Sequence, residues 1–311
     1  MPKDTKPSSP SKPANVTKSS QRAVCTMNAC DFADAFHAVD KARGSAFHNQ
    51  RYSMMEFRWE PMDKTLRLTA TDGYRIHRQS VPMLTSGGAT TKSIGGKPGV
   101  RCVLTERCVR MMLQAISGMR TRKKGQPTVT LTLDQTDDKH TLTLHSTLDE
   151  FSFTYSQPVE GSRFPDCDVL LSERKDMLCD VNRMALLKAM RDYAENGYTE
   201  SYGLDGNSPV PVVISTLTAS NTLVYETGWR TKTVQDVWRM PAVRVHSDSR
   251  IWLNPQYLID ALTCCKSDVV TLTAGPSHSV VELYDRHNPS SAEHGYKRFV
   301  ALIAAIRPPE K

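Results

Sequence analysis

Helix-start signals fall at four places in this chain, Asp31, Thr105, Asn182 and Asn254, and they are spaced as two pairs. Asp31 to Asn182 is 151 residues and Thr105 to Asn254 is 149. Each signal is a residue whose side chain can cap backbone N–H groups, and each precedes apolar residues at helical spacing. Phe32, Phe36 and Val39 follow the first; Val109, Met112, Leu113 and Ile116 follow Thr105-Glu106. Leu187, Met190 and Ala194 follow the third, and Leu258, Ala261, Leu262 and Cys265 follow Asn254-Pro255, a cap with proline at the first helical position. Strand-like VTLTL near 129 recurs as VTLTA at 270. Two copies of a helix, strands, helix, strands module therefore account for the chain, which predicts an α+β fold with helices on one face and antiparallel sheets outside them. The boundaries expected are a tail over 1–21, one module over 22–172 and a second over 173–311. The tail is rich in Ser, Pro and Lys with almost nothing to bury, so it is expected to be disordered.

A composition 39% hydrophobic and 23% charged suits a soluble globular protein of two domains. No apolar run in the first twenty residues suits a signal peptide and none later approaches a membrane span, so a cytosolic protein is expected. Eight cysteines, at 25, 30, 102, 108, 167, 179, 264 and 265, include no C-x-x-C pair; scattered thiols are expected rather than disulfides or a zinc site. The net charge of +7 is uneven: +3 lies in 1–21, +4 in 22–172 and none in 173–311. That suits either a restricted nucleic-acid surface or a merely basic soluble protein.

Between the first two helices, LRLTATDGYRI over 66–76 reads as a hairpin. Leu66, Leu68 and Ala70 alternate with Arg67, Thr69 and Thr71, and Asp72-Gly73 is a strong turn signal. Past the turn Tyr74 and Ile76 alternate with Arg75 and His77; an ordinary hairpin accounts for these residues as they stand. RFPDCDVLLSE over 163–173 reads as a bend followed by a connector. Gly95-Gly96-Lys97 lacks the spacing and context of a phosphate-binding loop. No nucleophile with a base, paired carboxylates or metal-ligand spacing stands out, the nine histidines are scattered, and Tyr193 and Tyr198 near Glu195 read as helix end and loop. A non-enzyme without metal or cofactor is expected, although catalytic groups can converge from distant positions. What remains is helices with a basic face. Arg107 and Arg110 lie opposite one apolar stripe, and Lys188 and Arg191 opposite another. Lys41 and Arg43 end the first helix, and Arg120, Arg122, Lys123 and Lys124 follow the second. These can meet a phosphate backbone without reading bases, or simply face water; the last four also suit a helix C-terminus.

LRLTATDGYRI, EGSRFPDCDVL at 160–170 and the ending IWLNPQYLIDAL…SDVVTLTAGPSHSVVEL…FVALIAAIRP together resemble the bacterial sliding clamp, the beta subunit of DNA polymerase III, in order and spacing. In that family the hairpin reads close to ATDGHRL and the bend GRFPDY. The resemblance runs from about 23 to 308 and covers the second and third of the family's three domains. It implies the DNA-clamp fold and a processivity factor that encircles double-stranded DNA, serving a replicative DNA polymerase and a clamp-loader ATPase. Six domains close the family's ring, so two per chain imply a homotrimer, whose hole Lys41, Arg107, Arg110, Lys188 and Arg191 would line; the fourth helix, with Gln256, Asp260 and Thr263 outward, adds little positive charge. It also implies a groove for short linear peptides. Its wall would be Met54, Thr71, Gly73, Tyr74, Arg75 and Ile76 from the hairpin side and Pro165, Val169 and Leu170 from the bend. Ser279, Leu302, Ala304, Ala305, Ile306 and Arg307 would complete it from the C-terminal strands. Tyr74 stands where the family usually has His, and Ala304-Ala305 where it has a bulkier Met-Pro pair. A clamp-like adaptor that binds such peptides without closing on DNA is the rival reading.

Overall fold

The computed structural model describes residues 21–45, 49–87, 100–117, 127–136, 139–147, 151–158, 164–195, 210–226, 237–275, 278–285 and 299–306. The first half of the chain runs β1 (Gln21–Asn28), α1 (Ala29–Asp40), β2 (Met55–Glu60), β3 (Thr65–Thr71), β4 (Arg75–Pro82), β5 (Thr85–Gly87), β6 (Val100–Leu104), α2 (Glu106–Ile116), β7 (Thr128–Gln135), β8 (Lys139–Ser146) and β9 (Phe151–Pro158). A short helix, α3 (Cys167–Ser172), follows. The second half then runs β10 (Asp176–Asn182), α4 (Arg183–Glu195), β11 (Val212–Leu217), β12 (Thr222–Glu226), β13 (Val237–Pro241), β14 (Arg244–Val245), β15 (Ser249–Leu253), α5 (Pro255–Cys264), β16 (Val269–Ala274), β17 (Val280–Asp285) and β18 (Val300–Ala304). Strand for strand and helix for helix, the two halves have one order.

The sheets repeat as well. The first half builds a five-stranded sheet, β5-β1-β7-β8-β9, and the second a four-stranded one, β13-β12-β11-β15. Their counterparts, β14-β10-β16-β17-β18 and β4-β3-β2-β6, are fused into one nine-stranded sheet by the pairing of β18 with β4. All of these pairings are antiparallel. Each half has its own apolar core. Phe32 and Phe36 of α1 meet Phe57 of β2 in tilted or edge-on ring contacts in the first. Leu186, Leu187 and Met190 of α4 pack with Leu258 and Leu262 of α5 in the second. A smaller cluster, Met54, Ile76, Phe164, Cys167 and Leu302, sits at the join.

Several expectations need correction. The cap of α1 is Asn28, whose Oδ1 accepts from the Cys30 and Asp31 amides; Asp31 lies in the first turn instead. The bend at 163–173 contains α3, capped by Asp166. On α4 the last inward residue is Tyr193, its hydroxyl donating to the Pro211 carbonyl at 2.9 Å, while Ala194 is exposed. On β3, Thr69 and Thr71 are nearly as buried as Leu68, with Thr69 Oγ1 accepting from Arg78 Nε at 3.1 Å and Thr71 Oγ1 donating to the Arg75 carbonyl. All eight cysteines are free.

His77 is fully buried at the join, opposite Ala301 across the β4–β18 pairing. Its Nδ1 lies 2.8 Å from the Ala38 carbonyl, and its ring stands edge-on to Phe299 at 4.9 Å. Burial pushes its pKa down to about 3, so it folds as the neutral ring that donates to Ala38. The unfolded chain then binds a proton that the native state refuses, and stability declines as pH falls from about 6.5 towards 3, by about 1.4 kcal/mol per pH unit from this group. Urea unfolding at pH 6.5 and 4.5 is expected to show a smaller pH-dependent loss in His77→Leu than in the wild type; equal losses would show that His77 is not the proton acceptor.

Candidate functional site

The hairpin between β3 and β4 is closed by its own side chains. Asp72 Oδ1 accepts from the Tyr74 amide at 2.9 Å and the Arg75 amide at 3.0 Å, and Thr71 Oγ1 donates to the Arg75 carbonyl at 2.6 Å. Gly73 has φ +94°, which a side chain would strain, and a Cβ there would stand 3.0 Å from the Tyr52 ring. Tyr74 is left projecting at the tip, 67% exposed.

Arg75 is not free. Its Nε lies 2.9 Å from Asp72 Oδ2, its Nη1 2.5 Å from Asp260 Oδ2 on α5, and its guanidinium lies over the Tyr257 ring at 4.3 Å. Asp260, expected on the outer face of α5, is thereby spent across the join, and Thr263 likewise accepts from Lys41 Nζ. Truncating Arg75 leaves two mostly buried carboxylates, Asp72 and Asp260, without their cation, although each keeps hydrogen bonds from other donors. Arg75→Ala is expected to lower stability by about 2 kcal/mol, checked by chemical denaturation; an unchanged midpoint would mean the contacts contribute nothing.

Beside this hairpin lies a cavity of about 200 Å³. Thr71, Gly73, Tyr74, Arg75 and Ile76 line it from the hairpin, Pro165 and Leu170 from the α3 side, and Leu302 and Ala304 from β18. The structure thus brings together nine of the residues named from sequence, from segments more than two hundred residues apart. It adds Tyr52, Asp166, Cys167 and Val280. Of these, Tyr52 was nearest to being legible, as an aromatic alternating with Met54 just before β2. Met54 does not line the cavity but belongs to the small core at the join, with Ile76, Cys167 and Leu302, and Val169 is exposed on α3. Ser279, Ala305 and Ile306 flank β17 and β18: the Ala305 amide donates to Ser279, and the Ile306 amide donates to the Trp252 carbonyl at 2.8 Å. Arg307 lies outside the described residues. The site is a mostly apolar recess whose polar lining comes from Tyr52, Thr71, Tyr74, Arg75 and Asp166, suited to an aliphatic or aromatic side chain of an extended segment.

The basic residues divide into two sets. Arg107 and Arg110 on α2 and Lys188 and Arg191 on α4 are exposed, Arg110 paired with Glu106 and Lys188 with Asp192 along their own helices. Lys41 is exposed but bonded to Thr263. Arg43 is turned inward, its Nε 2.7 Å from Asp40 and its Nη1 3.3 Å from the Ser53 carbonyl. Arg120, Arg122, Lys123 and Lys124 lie outside the described residues. Among the described residues no three His, Cys, Asp or Glu side chains gather as a metal site, and no helix is long and apolar enough to cross a membrane.

No protein-family model matches the chain, and no curated protein does. Solved structures do. The DNA polymerase III subunit beta of Pseudomonas aeruginosa aligns over 99% of this chain and 70% of its own length, with TM-score 0.65 and 17% identity. The fold is that of a DNA sliding clamp. A Helicobacter pylori beta clamp bound to diflunisal shares it, with TM-score 0.66, 11% identity, and 96% and 69% of the two chains covered. The Helicobacter pylori beta clamp bound to a DNA ligase peptide does so with TM-score 0.63, 10% identity, and 97% and 68% covered. The chain therefore carries the clamp architecture in about two thirds of the length of these neighbours, at identities where little beyond fold survives.

Proposed function

We propose that the protein is the subunit of a ring-forming sliding clamp, which encircles duplex DNA and tethers a replicative polymerase, a clamp loader and other partners by short peptides. It performs no chemistry of its own and acts where DNA is replicated, in the cytoplasm. The observation that carries this reading is the way the two halves join. β18 of the second half pairs with β4 of the first, and the equivalent strands, β9 of the first half and β13 of the second, are terminal in their sheets. Pairing β9 of one copy with β13 of the next would repeat the junction already made within the chain, joining a five-stranded to a four-stranded sheet once more. Such head-to-tail contacts generate a ring when the rotation closes. With two clamp modules per chain and six per ring, we propose a homotrimer.

In that ring α1, α2, α4 and α5 face the hole. Arg107, Arg110, Lys188 and Arg191 offer the duplex sequence-independent, salt-sensitive contacts, with Lys41 beside them and α5 contributing little charge. The recess between hairpin, α3 and β18 receives the peptide of a partner. A clamp without catalysis is tested by topology: the protein, loaded on nicked circular duplex, should co-elute with the DNA in gel filtration and be lost after the circle is cut. Equal retention on linear and circular DNA would contradict encirclement, and peptide binding with no retention on either would favour the adaptor.

A further inference from the structure

The wall formed by α3 is attached in an unusual way. A six-residue helix has no stability of its own, so its position is set by what grips it. Arg58 of β2, Arg67 of β3 and Arg78 of β4 stand together on one face of the nine-stranded sheet, with Arg58 directly opposite Arg67. Like charges so placed repel. Glu56 and Glu60 on β2 pair with Arg58 and Arg67, and the remaining carboxylate comes from α3: Asp168 lies 2.7 Å from Arg58 Nη1, 2.6 Å from Arg78 Nη2 and 3.9 Å from Arg67 Nη1. Past the other end of α3, Lys175 donates to the carbonyls of Leu170 at 2.9 Å and Glu173 at 3.0 Å. The same ammonium lies 2.9 Å from Glu282 on β17. Lys175 thus answers carbonyls left over at the end of the helix and ties them to the second half of the chain.

We propose that α3 is a positioning element held by two ionic clasps, Asp168 on the first half and Lys175 on the second, and that together they set the distance at which Leu170 closes on a bound apolar side chain. The proposal rests on the recess being a peptide site. The electrostatics agree with it. Burial alone would raise the Asp168 carboxyl, but the Arg78 and Arg58 guanidiniums outweigh that and hold it at about 2. Burial, with the Arg78 and Arg58 guanidiniums alongside, pushes Arg67 down to about 10. A wall held from both sides is already in place when the ligand arrives, and less conformational freedom is lost on binding.

Hydrogen exchange of the full chain, read over residues 164–175, tests the clasp, and fluorescence polarisation with the DNA ligase peptide of the Helicobacter pylori complex tests its consequence. In Asp168→Asn the α3 amides are expected to exchange about tenfold faster with β7 and β16 unchanged, and peptide affinity to fall about tenfold. Asp168→Glu should restore part of both, and Lys175→Met should loosen the same amides from the other side. Wild-type exchange rates in both Asp168→Asn and Lys175→Met would overturn the clasp. Faster exchange with unchanged affinity would overturn the positioning role. No binding by the wild type would sink the peptide site, and the positioning role with it, while the exchange rates still decide the clasp.

Discussion

Leu170→Asp is expected to abolish peptide binding while leaving the fold intact. Leu170 is 39% exposed on α3 and lines the recess, so its removal opens no cavity in a core. Contact with an apolar ligand would bury the rest of its side chain, about two fifths of a leucine's full burial and so about 1 kcal/mol. The aspartate adds a carboxylate that the ligand would desolvate without a partner. Together these predict a loss of at least about 100-fold in affinity, measured by fluorescence polarisation or calorimetry, with an unaltered melting curve. Binding within about twofold of the wild type would show that the recess is not where peptides dock. Leu302 is no substitute for this test: it is 2% exposed and part of the core at the join, so a charge there would damage the fold and the site together.

Reversing the exposed helix charges, Arg107→Glu, Arg110→Glu, Lys188→Glu and Arg191→Glu in one chain, is expected to eliminate duplex binding at low salt. The substitutions forfeit two surface helix pairs, Arg110 with Glu106 and Lys188 with Asp192, and such pairs contribute little, so folding should survive. Each phosphate contact removed should make the plot of log K against log salt shallower by about 0.9. Anisotropy of a labelled duplex across a salt series measures both. An unchanged affinity and slope would place the DNA-facing surface elsewhere on the protein.

The repeated plan was legible in the sequence because helix starts are local. A cap residue before an apolar stripe needs no knowledge of the rest of the chain, and Thr105 and Asn254 act as read. The first start was shifted because Asn28 and Asp31 are both good caps, three residues apart on the same turn. α3 escaped because six residues are too few to show a period, and its neighbours Pro165 and Asp166 read equally well as a turn. Tyr193 replaced Ala194 on the inner face of α4 because a tyrosine at the helix end can reach the Pro211 carbonyl and the Trp238 ring, contacts made by residues well outside the helix. The recess was named from sequence through resemblance rather than pattern, and the structure gathers most of it. What could not be read was how its charged residues are spent. Arg75 looks like a free guanidinium beside an aromatic, yet Asp260, 185 residues away, consumes it. Asp168 looks like one of three acidic residues in the stretch 163–173, yet three arginines on separate strands converge on it.

The mass of the assembly tests the ring most directly. Sedimentation equilibrium at micromolar concentration should give about 104 kDa, three copies of a 34.8 kDa chain, at low and moderate salt alike. A stable single chain or a pair of chains under those conditions would contradict the account, because neither supplies six clamp modules to close around DNA.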